Sequence, residues 1–182
     1  MDKPRDALFN VAQLLKEPIG ATRAYDILAP IQHLLPELIA AEPLIGHVQL
    51  MRTDRGILVQ GELAGHVVVP CSRCLADVRV PVILHIEEQF QPTVDVVRGV
   101  FLEVDEEDEA LLIDEHHILD LHEVLRQEVL LEIPMQPLCR PDCAGLCPSC
   151  GEDLNLGACQ CATAEVDPRW ADLGALLADV DV

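Results

Sequence analysis

Aromatic side chains are almost missing from this chain: three Phe, one Tyr and one Trp in 182 residues. A platform that stacks successive bases of a single strand needs such rings, so that mode of binding is not expected. Basic residues are scarce as well, 12 Lys and Arg against 32 Asp and Glu, for a formal net charge of -20. Nucleic acids are bound mainly by neutralising phosphates, and a surface of this sign repels them; basic partners suit it better. Long apolar runs are also lacking. The most apolar stretch, residues 27–48, is broken by Pro30, Pro36 and Pro43 and carries Glu37 and Glu42, so no membrane span is expected. The opening Met-Asp-Lys-Pro-Arg-Asp holds no hydrophobic signal core, and the expected location is the cytoplasm. No nucleophile elbow, phosphate loop or dinucleotide fingerprint occurs. A binding protein without a small-molecule substrate is therefore favoured over an enzyme.

Cysteine is what the chain has in abundance. Eight cysteines form four short-spaced pairs: Cys71 and Cys74, Cys139 and Cys143, Cys147 and Cys150, Cys159 and Cys161. In a reducing cytosol such pairs are read as metal ligands or redox groups rather than disulfides. Tetrahedral zinc takes two sulfurs from one tight turn and two from another. The expected cofactor is zinc, as one or two ions in four-thiolate sites. The tail, residues 139–161, cannot be helical, because Pro141, Gly145 and Pro148 interrupt it. It has too little apolar content to order itself, and metal binding would supply the folding free energy. The most local site joins Cys147 and Cys150 with Cys159 and Cys161, which leaves Cys139 and Cys143 to meet Cys71 and Cys74; crossed pairings remain open. A thioredoxin-type redox pair is the competing reading, without the βαβ context that it needs. Neither ferredoxin spacing is present, and unmetallated thiols are the remaining option.

The expected fold is α+β: an antiparallel β meander or partly closed barrel, a few helices, and a cysteine-rich, loop-rich C-terminal module. Val48, Leu50, a turn at residues 53–56 and Ile57-Leu58-Val59 open the first hairpin. Gly65-His66-Val67-Val68-Val69 follows, and the first cysteine pair makes the next turn. Val78, Val80, Val82, Leu84 and Ile86 then alternate with a period of two. Residues 103–115, with eight carboxylates in thirteen positions, are read as a solvated loop. A helix is expected over 120–133, capped by Asp120 with Glu123 completing a capping box, buried through Leu121, Val124, Leu125 and Val129, and ended by Pro134. A last helix from Asp167-Pro168 would present Trp170, Leu173, Leu177 and Val180 on one face. Two units are expected: a β-rich core over 1–135, and the cysteine module with its terminal helix over 136–182, packed on the core. Of the seven histidines, His116, His117 and His122 are read as exposed, and His66 and His85 as facing one another across the meander.

Charge is unevenly spread. Residues 1–99 carry 9 basic and 12 acidic side chains, residues 100–182 carry 3 and 20. The nearly neutral first half holds Arg23, Arg52, Arg55, Arg73 and Arg79, candidates for contact with RNA or a partner, with ordinary solvation or local ion pairing as the alternative.

These residues carry a resemblance. Phe9-Asn-Val-Ala-Gln-Leu-Leu with Gly20 and Arg23, Arg52-Thr-Asp-Arg-Gly-Ile-Leu-Val, Cys71-Ser-Arg-Cys74-Leu75 and Glu87-Glu88-Gln-Phe90 are one part of it. Ile118-Leu-Asp-Leu with Glu128 and Leu131, Pro134-Met135 with Pro137-Leu-Cys139, Gly145-Leu-Cys147-Pro-Ser-Cys150-Gly with Leu154-Asn155, and Asp167-Pro168-Arg169 are the rest. In order and spacing they resemble the YceD family, bacterial and plastid proteins linked to accumulation of large-subunit ribosomal RNA. The resemblance implies a non-catalytic role in large-subunit biogenesis, with the CxRC turn as the shared element. Its implied partners are a large-subunit ribosomal RNA precursor or basic ribosomal and assembly proteins. A thiol-based redox or zinc-responsive regulator is the other class of function.

Overall fold

The computed structural model describes residues 7–36, 38, 42–104 and 109–161. In chain order the elements are β1 (Leu8–Asn10), α1 (Ala12–Lys16), β2 (Thr22–Ala29), α2 (Ile31–Leu34), β3 (Leu44–Arg52), β4 (Ile57–Pro70), β5 (Asp77–Pro92), β6 (Leu112–Ile113), β7 (Ile118–Asp120) and α3 (His122–Glu132). The architecture is α+β. Strands β2 to β5 form an antiparallel meander, β6 adds to β5 in parallel, and β1 pairs with β7. Among the described residues the sheet runs in the order β2-β3-β4-β5-β6 and does not close into a barrel, so the meander is the form taken.

Alternation decides which face is buried. Ile57, Val59, Leu63, Val67 and Val69 on β4, and Val82, Leu84, Ile86 and Phe90 on β5, point into one core. Each such side chain, fully buried, contributes about 1.5–3 kcal/mol. A five-residue helix is not stable by itself; α1 persists because Leu14 and Leu15 are buried and it packs on β3. Helix α3 covers β5 and meets α2, burying Leu121, Val124, Leu125 and Val129 as their spacing requires. The opposite face is left open. There the exposed Leu28, Ile45, Ala64 and Ile83 are cross-strand neighbours, beside a row of Asp26, His47, Glu62 and His85.

Several local expectations change. Residues 57–70 are one continuous strand, because Gly61 and Gly65 sit on the inward face without ending it. His66 lies opposite Pro81 and its Nδ1 is 3.1 Å from the Glu42 carboxylate, whereas His85 lies opposite Glu62, so the two histidines do not face one another. Asp120 ends β7 and accepts a hydrogen bond from the His122 N–H at 2.8 Å; no side chain caps α3 at Leu121. Glu123 reaches forward to Arg126 and Gln127, so no capping box forms. These donors, Arg126 first, hold its carboxyl down at about 2. The end of the acidic segment is structured, as a 3-10 turn over Glu109–Leu111 running into β6, while residues 105–108 and the expected helix from Asp167 lie outside the described residues.

Gly46 leaves no room for a side chain between β3 and β4. A Cβ there would lie 2.0 Å from the Glu62 carbonyl oxygen and 2.7 Å from the Leu63 Cα, both backbone atoms that cannot move away alone. Gly46→Ala is therefore expected to cost about 3 kcal/mol, read as a lower denaturation midpoint, whereas His47→Ala on the open face should change stability by less than about 0.5 kcal/mol.

Candidate metal centre

Strands β4 and β5 are the longest in the sheet, 14 and 16 residues, and the turn between their tips is Cys71-Ser-Arg-Cys74. Pairing runs out to Pro70 and Asp77, so the hairpin presents the turn at its very end. The chain returns to it from the tail: Ser72 N–H donates to the Pro137 carbonyl at 2.8 Å, and Leu146 N–H to the Arg73 carbonyl at 3.1 Å. Two groups of four thiols result. Cys71, Cys74, Cys139 and Cys143 gather at the hairpin tip; Cys147, Cys150, Cys159 and Cys161 gather in the tail. Within each group the sulfurs all lie within 4.8 Å of one another.

The separations fit a metal better than any disulfide. Bonds of about 2.3 Å in a tetrahedron put neighbouring sulfurs about 3.8 Å apart. Here Cys71 and Cys143 are at 3.9 Å, Cys74 and Cys139 at 3.6 Å, and Cys147 and Cys159 at 3.3 Å. A disulfide requires about 2.05 Å. Backbone N–H groups also point at sulfur, as they do around a thiolate: Arg73 and Cys139 toward Cys71 at 3.5 and 3.4 Å, and Ser149 toward Cys147 at 3.4 Å. Such donors, led by the N–H groups of Cys74 and Cys150 respectively, bring the Cys71 and Cys147 thiols down to about 6. Cys143 is brought down as well: burial pushes it up, but donors led by the Asn155 amide outweigh that. Cys139 is pushed up to about 12 by burial first, and Cys161 to about 12 by its hydrogen bond with Cys150 first. The thiols of each group thus differ in how readily they ionise, and four thiolates held together would need a cation.

The two CxxC turns are built alike. Cys71 N–H bonds to the Ala76 carbonyl at 2.8 Å, and Cys147 N–H to the Glu152 carbonyl at 2.8 Å. Leu75 N–H returns to the Cys71 carbonyl and Gly151 N–H to the Cys147 carbonyl. Both Leu75 (φ 61°) and Gly151 (φ 76°) take the left-handed conformation. Glycine enters it freely; leucine does so at a cost of about 1–2 kcal/mol.

Two residues that sequence reasoning did not single out as site residues join the groups. Asn155, named above only within the family resemblance, accepts from Arg140 and from the Ala144 N–H and donates to the Cys143 sulfur at 3.5 Å. Leu75 is 64% exposed, and nothing in the spacing marks its backbone conformation. Of the candidate arginines, Arg73 donates to the Cys143 carbonyl at 2.8 Å and pins one turn to the next. Arg23 pairs with Glu17, and Arg79 with Glu42 at 2.6 Å. Arg52 braces the β3–β4 turn through the carbonyls of Thr53, Gly56 and Leu15. Arg55 is exposed at that turn. The structure does not bring the five together as one cationic surface.

The profile of a family described as large ribosomal RNA subunit accumulation protein YceD matches residues 59–177. The chain belongs to the YceD family. An uncharacterized protein of Mycobacterium tuberculosis is 33% identical over 172 residues, covering 92% of this chain and 80% of its own. An uncharacterized Bacillus subtilis protein, YlbN, is 33% identical over 121 residues, 65% of each chain. A chloroplastic Arabidopsis thaliana protein named large ribosomal RNA subunit accumulation protein YCED homolog 1 is 34% identical over 73 residues, 40% of this chain and 23% of that one. No solved structure matches. The family profile spans both thiol groups and the upper part of the sheet.

Relieving the left-handed cost at Leu75, less the extra unfolded-state entropy of glycine, leaves Leu75→Gly more stable by about 0.5–1 kcal/mol. Gly151→Leu should lose a similar amount. Thermal melts of the two variants are expected to move in opposite directions, by about 1–4 °C each.

Proposed function

We propose that this YceD-family chain is a non-enzymatic cytoplasmic factor that supports accumulation of large-subunit ribosomal RNA, with two structural zinc ions held by the eight cysteines. The observation that carries the zinc reading is the gathering of thiols 65 and 72 residues apart onto one hairpin tip, with N–H donors aimed at their sulfurs. The hairpin-tip site joins the cysteine tail to the sheet; the second site orders the tail itself. The ribosomal reading rests on the family and on the printed name of the Arabidopsis protein.

Of the two partner classes, a basic ribosomal or assembly protein is favoured over naked RNA. The net charge is -20, and four of the five candidate arginines already serve contacts within the chain. Two filled four-thiolate sites would deepen the charge by about four, since each adds four thiolates and one divalent cation. One observation favours the redox reading: Cys139, Cys150 and Cys161 are exposed. Zinc bound by all eight thiols would block it, because coordinated sulfurs react slowly.

Elemental analysis of freshly purified protein is expected to give about two zinc ions per chain, with Cys147→Ser/Cys150→Ser losing about one. Cys71→Ser/Cys74→Ser should lose the other and also lower the melting temperature, since it frees the tail from the sheet. Chelators should strip the more exposed tail site first. Metal-free wild-type protein after metal-replete expression, with reversible disulfides in its place, overturns the zinc reading in favour of the redox one. In the native cell, depletion of the protein should lower large-subunit relative to small-subunit ribosomal RNA. An unchanged ratio overturns the ribosomal reading.

A further inference from the structure

Beyond β5 the chain folds into a small projecting hairpin, residues 94–102. Val94 bridges to Phe101, Asp95 N–H donates to the Val100 carbonyl, and Gly99 turns the chain with φ at 66°. The Asp95 carboxylate accepts from the N–H groups of Val97 and Arg98 at 2.8 Å each, which fixes the tip. On this rigid tip the apolar side chains face outward. Val97 is 79% exposed and Phe101 78%, and Val100 and Leu102 are exposed with them. Singly exposed apolar residues are ordinary; four on one short hairpin mark an interaction site. A cleft of about 140 Å³ lies at its base, lined by Leu15, Arg52, Pro92, Val94, Val97 and Leu102 among others.

Charge specifies what fits there. Glu103 follows the hairpin directly, and Glu109 opens the 3-10 turn that packs on β5 where β6 pairs with Gln91 and Pro92. Both are exposed carboxylates, against which stand the exposed Arg98 on the hairpin and Arg52 in the cleft, the latter already bonded to the carbonyls of Thr53 and Gly56. A second copy of this chain would bring like charge against like, and RNA would bring phosphates against carboxylates. We propose that the 94–102 hairpin is the docking site for a basic, amphipathic protein segment: an apolar anchor of the partner enters the cleft beside Val97 and Leu102, Phe101 packs on its flank, and its cationic side chains meet Glu103 and Glu109. This rests on the reading of a basic ribosomal or assembly protein as partner and gives that partner its surface.

The test uses the zinc-loaded full chain and two fluorescent probes: an amphipathic leucine–lysine peptide of about five helical turns, and oligolysine of equal length. Wild type should bind the amphipathic probe about tenfold tighter than oligolysine, and Val97→Ser/Phe101→Ser/Leu102→Ser should erase that preference. Phe101→Ser alone, at an exposed position that leaves the fold intact, should lose a large part of it. Glu103→Lys/Glu109→Lys should weaken both probes and flatten their salt dependence. The proposal is overturned if the triple serine variant, with normal zinc content, keeps the preference. It is equally overturned if wild type prefers a single-stranded ribosomal RNA fragment, or if light scattering shows a wild-type dimer that the serine variant dissolves. Co-sedimentation with precursor large-subunit particles separates this failure from failure of the ribosomal reading. Equal co-sedimentation of wild type and serine variant removes the hairpin and leaves the role. Absence of wild type from the particles removes the role, and the peptide assay still decides the hairpin.

Discussion

Crowding of four thiols at each of two points is the constraint on which the cysteine tail turns. Cys71, Cys74, Cys139 and Cys143 converge within 4.8 Å, where backbone donors bring Cys71 down to about 6 and burial pushes Cys139 up to about 12. A divalent cation would resolve that conflict by taking all four as thiolates. The consequence is mechanical as well as chemical. A loop-rich tail with few apolar residues, lying 65 residues further along the chain, is tied to the tip of the longest hairpin. The hydrophobic core ends below that tip: Cys71, Cys74 and Cys143 form a separate small cluster with Val78, Leu138 and Leu146. Burial orders the sheet, whereas what lies beyond it is held by backbone hydrogen bonds and by thiols placed where a metal would join them.

Cation placement follows from the same economy. With 12 basic side chains against 32 acidic ones, the arginines are spent on backbone carbonyls and nearby carboxylates. Arg73 stabilises the junction of the two thiol groups, and Arg52 a tight turn, where a charged donor to buried carbonyls is worth more than a solvated surface charge. What is left outside is a strongly acidic surface interrupted by apolar residues on the 94–102 hairpin and the open sheet face. Such a surface would suit a cationic, amphipathic protein better than phosphate.

Much of the scaffold was legible in the sequence because periodicity reports burial directly. The alternation through Val82, Leu84 and Ile86, the stripe Leu121, Val124, Leu125 and Val129, and the turn at residues 53–56 each appear where their pattern puts them. Capping was less legible. Asp120 and Glu123 fit a capping-box spacing, but β7 runs up to Asp120 and Arg126 offers Glu123 a charged partner, so the local motif loses to tertiary context. The pairing of β1 with β7, across about a hundred residues, has no local signature at all.

Residues close together in the chain were enough for the meander, the number of thiol pairs and the acidic sign of the surface; they favoured the grouping of Cys147, Cys150, Cys159 and Cys161 but left crossed pairings open. Only tertiary structure decided that Cys139 and Cys143 meet Cys71 and Cys74 rather than cross over, since that depends on where a long hairpin places its tip. It also decided that Leu75 holds a left-handed conformation, that Asn155 reaches the Cys143 sulfur, and that Arg52 and Arg73 reach backbone carbonyls. Backbone dihedrals and side-chain partners of that kind are set by contacts between distant segments, which composition and spacing do not encode.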